Sequence, residues 1–169
     1  MCHLLKLARL VPSLSLLIGC QVAAPARVQA PPDSAAGEIS FRLAGPGGAA
    51  LLVPIYLNGE GPFEFVLDTG ATITCVDQPL AERLNLPEQR GQIGLGAGVG
   101  GAGRVRLVKI DSLRLGAAEA SGLTACVLDL QQVRAISPDV AGLLGLNFLK
   151  EFRVTLDFER NILLLQEAD

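Results

Sequence analysis

The stretch Phe65-Val66-Leu67-Asp68-Thr69-Gly70-Ala71-Thr72 sets a carboxylate, a small hydroxyl and a glycine between two apolar runs. Before it, Phe63 to Leu67 has strand composition; after it, Ala71 to Val76 is β-branched and strand-like. Gly70 permits a tight backbone turn. Asp68 then stands at a strand end, partly withdrawn from water, and Thr69 can hydrogen-bond backbone across a loop or a dimer axis. Two readings are open on these residues alone. Asp and Gly favour turns in any β protein, and a carboxylate fixed at a strand end is a candidate general acid or base.

Working outward, short strands separated by turn signals continue on both sides. Leu51 to Leu57 (LLVPIYL) is apolar, and Pro54 within it predicts an edge strand or a bulge. Asn58-Gly59-Glu60-Gly61-Pro62 is strong turn chemistry. Arg104 to Ile110 (RVRLVKI) alternates with period two; Ser112 to Leu115 and Leu123 to Leu130 read as further strands. Phe152 to Phe158 alternates again, Glu159-Arg160-Asn161 reads as a hairpin turn, and Ile162 to Gln166 follows. Short helices are expected at Gln78 to Leu84 and Phe148 to Phe152. The pattern predicts an all-β, mostly antiparallel barrel or sandwich with one or two short helices.

Composition narrows the chemistry. The chain has 169 residues, about one domain. Its only histidine is His3, so beyond the leader described below it holds no Ser-His-Asp or Cys-His apparatus and no His-ligated metal. Acid–base work falls to carboxylates, Lys or the single Tyr. With no Trp, a net charge of −3 and no basic face, a nucleic-acid partner is not expected. Neither a cofactor nor a metal is called for. Cys75 and Cys126 are either two small buried apolar residues, the simpler expectation, or a disulfide in an exported protein.

The N-terminus reads as an address. Lys6 and Arg9 precede the apolar run Leu10 to Gly19, which is too short to span a bilayer as a helix. Leu17-Ile18-Gly19-Cys20 resembles the bacterial lipobox, which implies cleavage before Cys20 and lipidation of its thiol. The expected organisation is a signal peptide over 1–19, a lipid-anchored linker over 20–37 rich in Ala, Pro and Gln, and a domain over 38–169. Gln21 rather than Asp follows Cys20, which in proteins of this resemblance implies the periplasmic face of the outer membrane of the bacterial cell envelope. The alternative is a plain secretory signal and a secreted or periplasmic soluble protein, with Cys20 incidental.

Apolar residues, Asp68-Thr69-Gly70, then Ala71 and the hydroxyl of Thr72 resemble the active-site loop of aspartic proteases, Ala71 being of the retroviral type. Ala141-Gly142-Leu143-Leu144-Gly145-Leu146-Asn147-Phe148-Leu149 resembles that family's later motif, which threads beneath the Asp loop. Phe152 to Phe158 and Ile162 to Leu165 resemble the closing hairpin of bacterial retropepsin-like domains. The resemblance spans residues 39–166 and implies a retropepsin-like acid-protease barrel. It implies Asp68 as the catalytic residue, Thr69, Gly70 and Thr72 as loop support, and Leu144 and Gly145 as the buttress.

Gly91 to Gly103 contains a nominal G-x-G-x-x-G at Gly96 to Gly101, but no strand-to-helix context surrounds it, so dinucleotide binding is rejected. By the resemblance it occupies the place of a flap, with Gly96, Gly98, Gly100 and Gly101 as candidate substrate contacts; the alternative is a surface loop. It has no aromatic residue, so a flap tyrosine is absent. The chain carries one Asp-Thr-Gly, and Asp111-Ser112-Leu113 lacks the glycine. The resemblance therefore implies an endopeptidase acting on a peptide or protein substrate as a homodimer. The rival reading is a non-enzymatic envelope lipoprotein that keeps the fold as a binding or assembly module.

Overall fold

The computed structural model describes residues 27–29, 37–98 and 101–167; for 27–29, 90–104 and 167 the backbone alone is described. The leader, Cys20 and most of the linker lie outside these residues. Twelve strands and three short α-helices follow in the described chain. They are β1 (Arg27–Gln29), β2 (Ile39–Ser40), β3 (Arg42–Ala44), β4 (Ala50–Leu57), β5 (Glu60–Leu67), β6 (Cys75–Asp77), α1 (Gln78–Arg83), β7 (Glu88–Gly98), β8 (Gly101–Leu115), β9 (Ala118–Leu128), α2 (Gln131–Arg134), β10 (Val140–Leu144), α3 (Leu146–Leu149), β11 (Phe152–Asp157) and β12 (Ile162–Glu167).

Six of the strands close on themselves in the order β9-β6-β10-β5-β4-β8, with β8 returning to pair with β9. Closure removes the free edges that would otherwise template aggregation. β1 adds to β9, β3 to β4 and β7 to β8, while β11, β12 and β2 form a separate antiparallel sheet. Most pairings are antiparallel. β10 with β5 and β6 with β9 are parallel, and these two carry the site described below.

The interior is aliphatic with two phenylalanines at its centre. Ile55, Leu57, Phe65, Ile110, Leu113, Leu144 and Phe148 are among the fully buried side chains. Burial of each such side chain contributes about 1.5–3 kcal/mol, which makes this cluster the main stabilising term. Ile39, Leu163 and Leu165 of the second sheet enter the same core.

Several sequence expectations shift in register. Pro54 meets its expectation: it lies where β4 pairs with β5 alone, between its pairings with β3 and β8, so the strand is locally an edge and no ladder is interrupted on the second side, and the β4–β5 register shifts just beyond it, between Ile55 and Leu57. The expected strands Arg104 to Ile110 and Ser112 to Leu115 form one strand, β8. Its buried residues change phase, from Val108 and Ile110 to Leu113 and Leu115, as do those of β9, from Ala118 and Ala120 to Leu123 and Ala125. The β8–β9 ribbon thus turns its opposite face to the core midway. Gly122, at φ +67°, accommodates the turn on β9, and Asn58 Oδ1 accepts the N–H groups of Asp111 and Ser112 (3.0 Å each) on β8. The strand expected from Ala71 shrinks to Cys75–Asp77, because residues 71 and 72 spend their carbonyls on α3 instead. The helical turn expected at Phe148 begins two residues earlier, at Leu146. Strand β7 and helix α2 carry no signal that the sequence reading used. Arg27–Gln29, in the linker stretch, pairs antiparallel with Glu119 to Ser121 of β9.

Candidate active site

Asp68 follows the last residue of β5, and the polypeptide turns there because Gly70 N–H donates to Asp68 Oδ1 (2.8 Å) and Ala71 N–H to the Asp68 carbonyl (3.2 Å). Asp68 is half-buried, while Thr69, Gly70 and Thr72 are exposed. A carboxylate is thereby presented to solvent from a backbone that is itself fixed. Among the described residues no second side chain pairs with it.

The fixing comes from below. β10 runs parallel to β5, with Leu144 opposite Leu67, and Asp68 N–H donates to the Leu144 carbonyl (3.0 Å). Leu146 N–H donates to Ala71 O (2.8 Å) and Asn147 N–H to Thr72 O (3.1 Å). Gly145 lies so close beneath the loop that a Cβ there would sit 2.5 Å from the Ile73 carbonyl carbon and 2.8 Å from Ala71 O. Gly142 is pressed on the Phe65 ring, with 2.1 Å between its missing Cβ and Cε1. Leu144 and Gly145, picked from sequence, are thus directly under the Asp loop. Thr72 contributes its carbonyl rather than a buried hydroxyl. The buried hydroxyl is that of Thr74, fully excluded from solvent, which accepts Gly145 N–H (3.2 Å). Thr74 and Asn147 escaped the sequence reading. The available signal was a third threonine, six residues after Asp68, and an asparagine among apolar residues.

The second parallel pair stands alongside. Cys75 of β6 and Cys126 of β9 are register partners and form a disulfide, correcting the simpler expectation of two free buried thiols. Cys126 N–H donates to Thr74 O (2.9 Å), so the covalent link sits one residue from the loop's buried threonine.

The glycine-rich segment is an antiparallel hairpin in which Gly96 pairs with Gly103 and Gly98 with Gly101. A strand-to-strand turn is not the strand-to-helix turn that dinucleotide binding requires, which agrees with its rejection. Gly100 lies outside the described residues.

Other acids are engaged elsewhere. Asp77, the most buried, accepts Leu130 N–H (3.1 Å) and pairs with Arg134, tying β6 to α2. Asp129 accepts Gln131 N–H, and Asp157 accepts Glu159 and Arg160 N–H. Among the described residues no three His, Cys, Asp or Glu side chains gather as a metal-binding group.

A barrel with a half-buried Asp-Thr-Gly loop braced from beneath defines the acid-protease class. A family model described as aspartyl protease matches residues 53–148, and the chain belongs to that family. Among solved structures it is similar to a retropepsin-like aspartic protease from Rickettsia conorii, with a TM-score of 0.50 and 20% identity over 83% of this chain and 92% of that one. That likeness establishes the retropepsin-like fold. No curated protein matches the chain.

Proposed function

We propose that the chain is an aspartic endopeptidase, active as a homodimer in which each subunit supplies one Asp68 across a twofold axis. The observation that carries this reading is the Asp68 carboxylate, oriented by Gly70 N–H on a loop pinned to β10 yet, among the described residues, without a second acid paired with it. One carboxylate cannot act at once as base and acid. Two about 3 Å apart resist double ionisation and share a proton. The ionised member takes a proton from water, whose oxygen attacks the scissile carbonyl carbon; the protonated member supplies the proton that leaves on the amide nitrogen. Water is consumed and a carboxylic acid and an amine are released, with no metal in the cycle. The exposed Thr69 and Gly70 leave the loop open to a second copy. The Gly96–Gly103 hairpin serves as the flap, and lipidation at Cys20 holds the enzyme at the envelope.

The test is one mixing experiment on the fragment 21–169, which keeps β1. Wild type should cleave a denatured protein with or without EDTA, and its specific activity should fall on dilution through the dimer dissociation constant. Asp68→Asn should be inactive with an unchanged far-UV spectrum and mass. Added in excess, it should poison wild type beyond simple dilution, since a heterodimer lacks the paired carboxylates. Constant specific activity where the mass is monomeric would overturn the two-subunit site.

A further inference from the structure

Asn147 touches three segments at once. Its backbone N–H donates to Thr72 O (3.1 Å), on the far limb of the Asp68 loop. Its Oδ1 accepts both the Thr74 N–H (2.8 Å) and the Thr74 hydroxyl (2.9 Å). Its Nδ2 donates to Thr124 O on β9 (2.8 Å). Two donors on the oxygen and a carbonyl before the nitrogen allow only one orientation of the amide. An asparagine in the single turn of a four-residue helix gains little from helix propensity, so its worth lies in these contacts.

The far ends of these contacts cannot drift apart. Thr74 precedes Cys75, and Thr124 lies two residues before Cys126; the disulfide and the Cys126 N–H to Thr74 O bond close β6 on β9 at that level. Asn147 therefore transmits the position of a covalently closed strand pair to Thr72, and Leu146 beside it does the same for Ala71 through its N–H (2.8 Å). Among the described residues no other side-chain nitrogen or oxygen from outside the Asp68–Thr74 loop hydrogen-bonds to it; the disulfide sulfur of Cys75 lies 3.6 Å from the Ile73 carbonyl oxygen.

We propose that Asn147 is a positioning residue for Asp68, setting the height of the Asp68–Thr74 loop through Thr72 and Thr74 without touching substrate. The proposal rests on the peptidase reading for its kinetic consequence and on geometry alone for its structural one. A displacement of the carboxylate by a fraction of an ångström leaves substrate binding to other surfaces intact and misaligns the proton transfer, so turnover is what falls.

Two readouts on the purified full-length protein decide it: steady-state cleavage of unfolded casein, and amide hydrogen exchange at Ala71 and Leu146. Asn147→Leu and Thr74→Val should lower kcat about tenfold to a hundredfold with KM within about threefold of wild type. The same variants should speed exchange at Ala71 and Leu146 about tenfold or more while the β8–β9 amides keep their rates. Thr74→Ser, which keeps the hydroxyl, should restore both. Should Asn147→Leu fail to fold, Asn147→Asp, which keeps an acceptor for Thr74 but sets a charged oxygen against the Thr124 carbonyl in place of the donor, makes the same comparison. Wild-type exchange rates at the loop in the Asn147 variant, a loss confined to KM, or failure of Thr74→Ser to rescue overturns the proposal. If wild type cleaves nothing, the peptidase reading fails, and the exchange comparison still decides whether Asn147 positions the loop.

Discussion

At the residue scale, the site depends as much on what is missing as on what is present. Gly142 has no left-handed φ to explain it; its Cβ would meet Phe65 Cε1 at 2.1 Å, Cζ at 2.3 Å and Cys75 O at 2.6 Å. Phe65 is fully buried and the third contact is backbone, so nothing can give way cheaply. Gly142→Ala should cost at least about 1–3 kcal/mol, seen as a lower urea midpoint at unchanged m-value. At Gly70 the nearest obstacle is the Asp68 Oδ1 at 3.1 Å, so Gly70→Ala should disturb the carboxylate more than the fold. Equal stability of Gly142→Ala and wild type would mean that β10 does not pack on β5 as described. The motif with these glycines is plain in the sequence. Which ring and carbonyl Gly142 admits is not, because Phe65 and Cys75 lie tens of residues away.

At the element scale, two parallel strand pairs carry the loop, and one is covalently closed. Cys75 and Cys126 are separated by 51 residues, and closing a loop of that size disfavours the unfolded chain by about 4 kcal/mol in the chain-entropy account. The variant Cys75→Ala with Cys126→Ala should therefore lower the urea midpoint by about 1.3 M or more, for an m-value of about 1–3 kcal/mol/M. An unchanged midpoint would assign the bond no stabilising role. The sequence offered two cysteines and no means to judge their distance, since parallel pairing of β6 with β9 is a long-range event. The β8–β9 ribbon makes the complementary point. Its break in periodicity near Asp111 is legible in the sequence, but whether a break ends a strand or turns its other face inward depends on what lies on either side.

For the whole molecule, the outstanding question is where the barrel works. The basic residues Lys6 and Arg9, the apolar run and Cys20 point to a lipid anchor. Pairing of Arg27–Gln29 with β9 leaves only the chain between Cys20 and Arg27 as tether, a reach of about 25 Å when fully extended. Wild type should partition with membranes and incorporate labelled fatty acid, and Cys20→Ser should do neither. Equal labelling of the two proteins would refute the anchor and leave a secreted or periplasmic enzyme. Anchoring would also concentrate subunits in a plane and favour the proposed dimer.

Taken alone, the sequence determined the things that depend on nearby residues. It specified a β-rich chain through period-two alternation, a turn at Asp68-Thr69-Gly70, and the glycine-bearing segment from 141 to 149. Only the tertiary structure decided the closure of β8 on β9, the two parallel pairings, the disulfide, and the union of Thr74, Thr124 and Asn147 at one point beneath the loop. The physical reason is the range of the forces involved. Turn and strand preferences are set by sterics within a few residues, whereas a buried hydroxyl or amide acquires its role from partners that the fold alone brings within 3 Å, which is roughly hydrogen-bond reach.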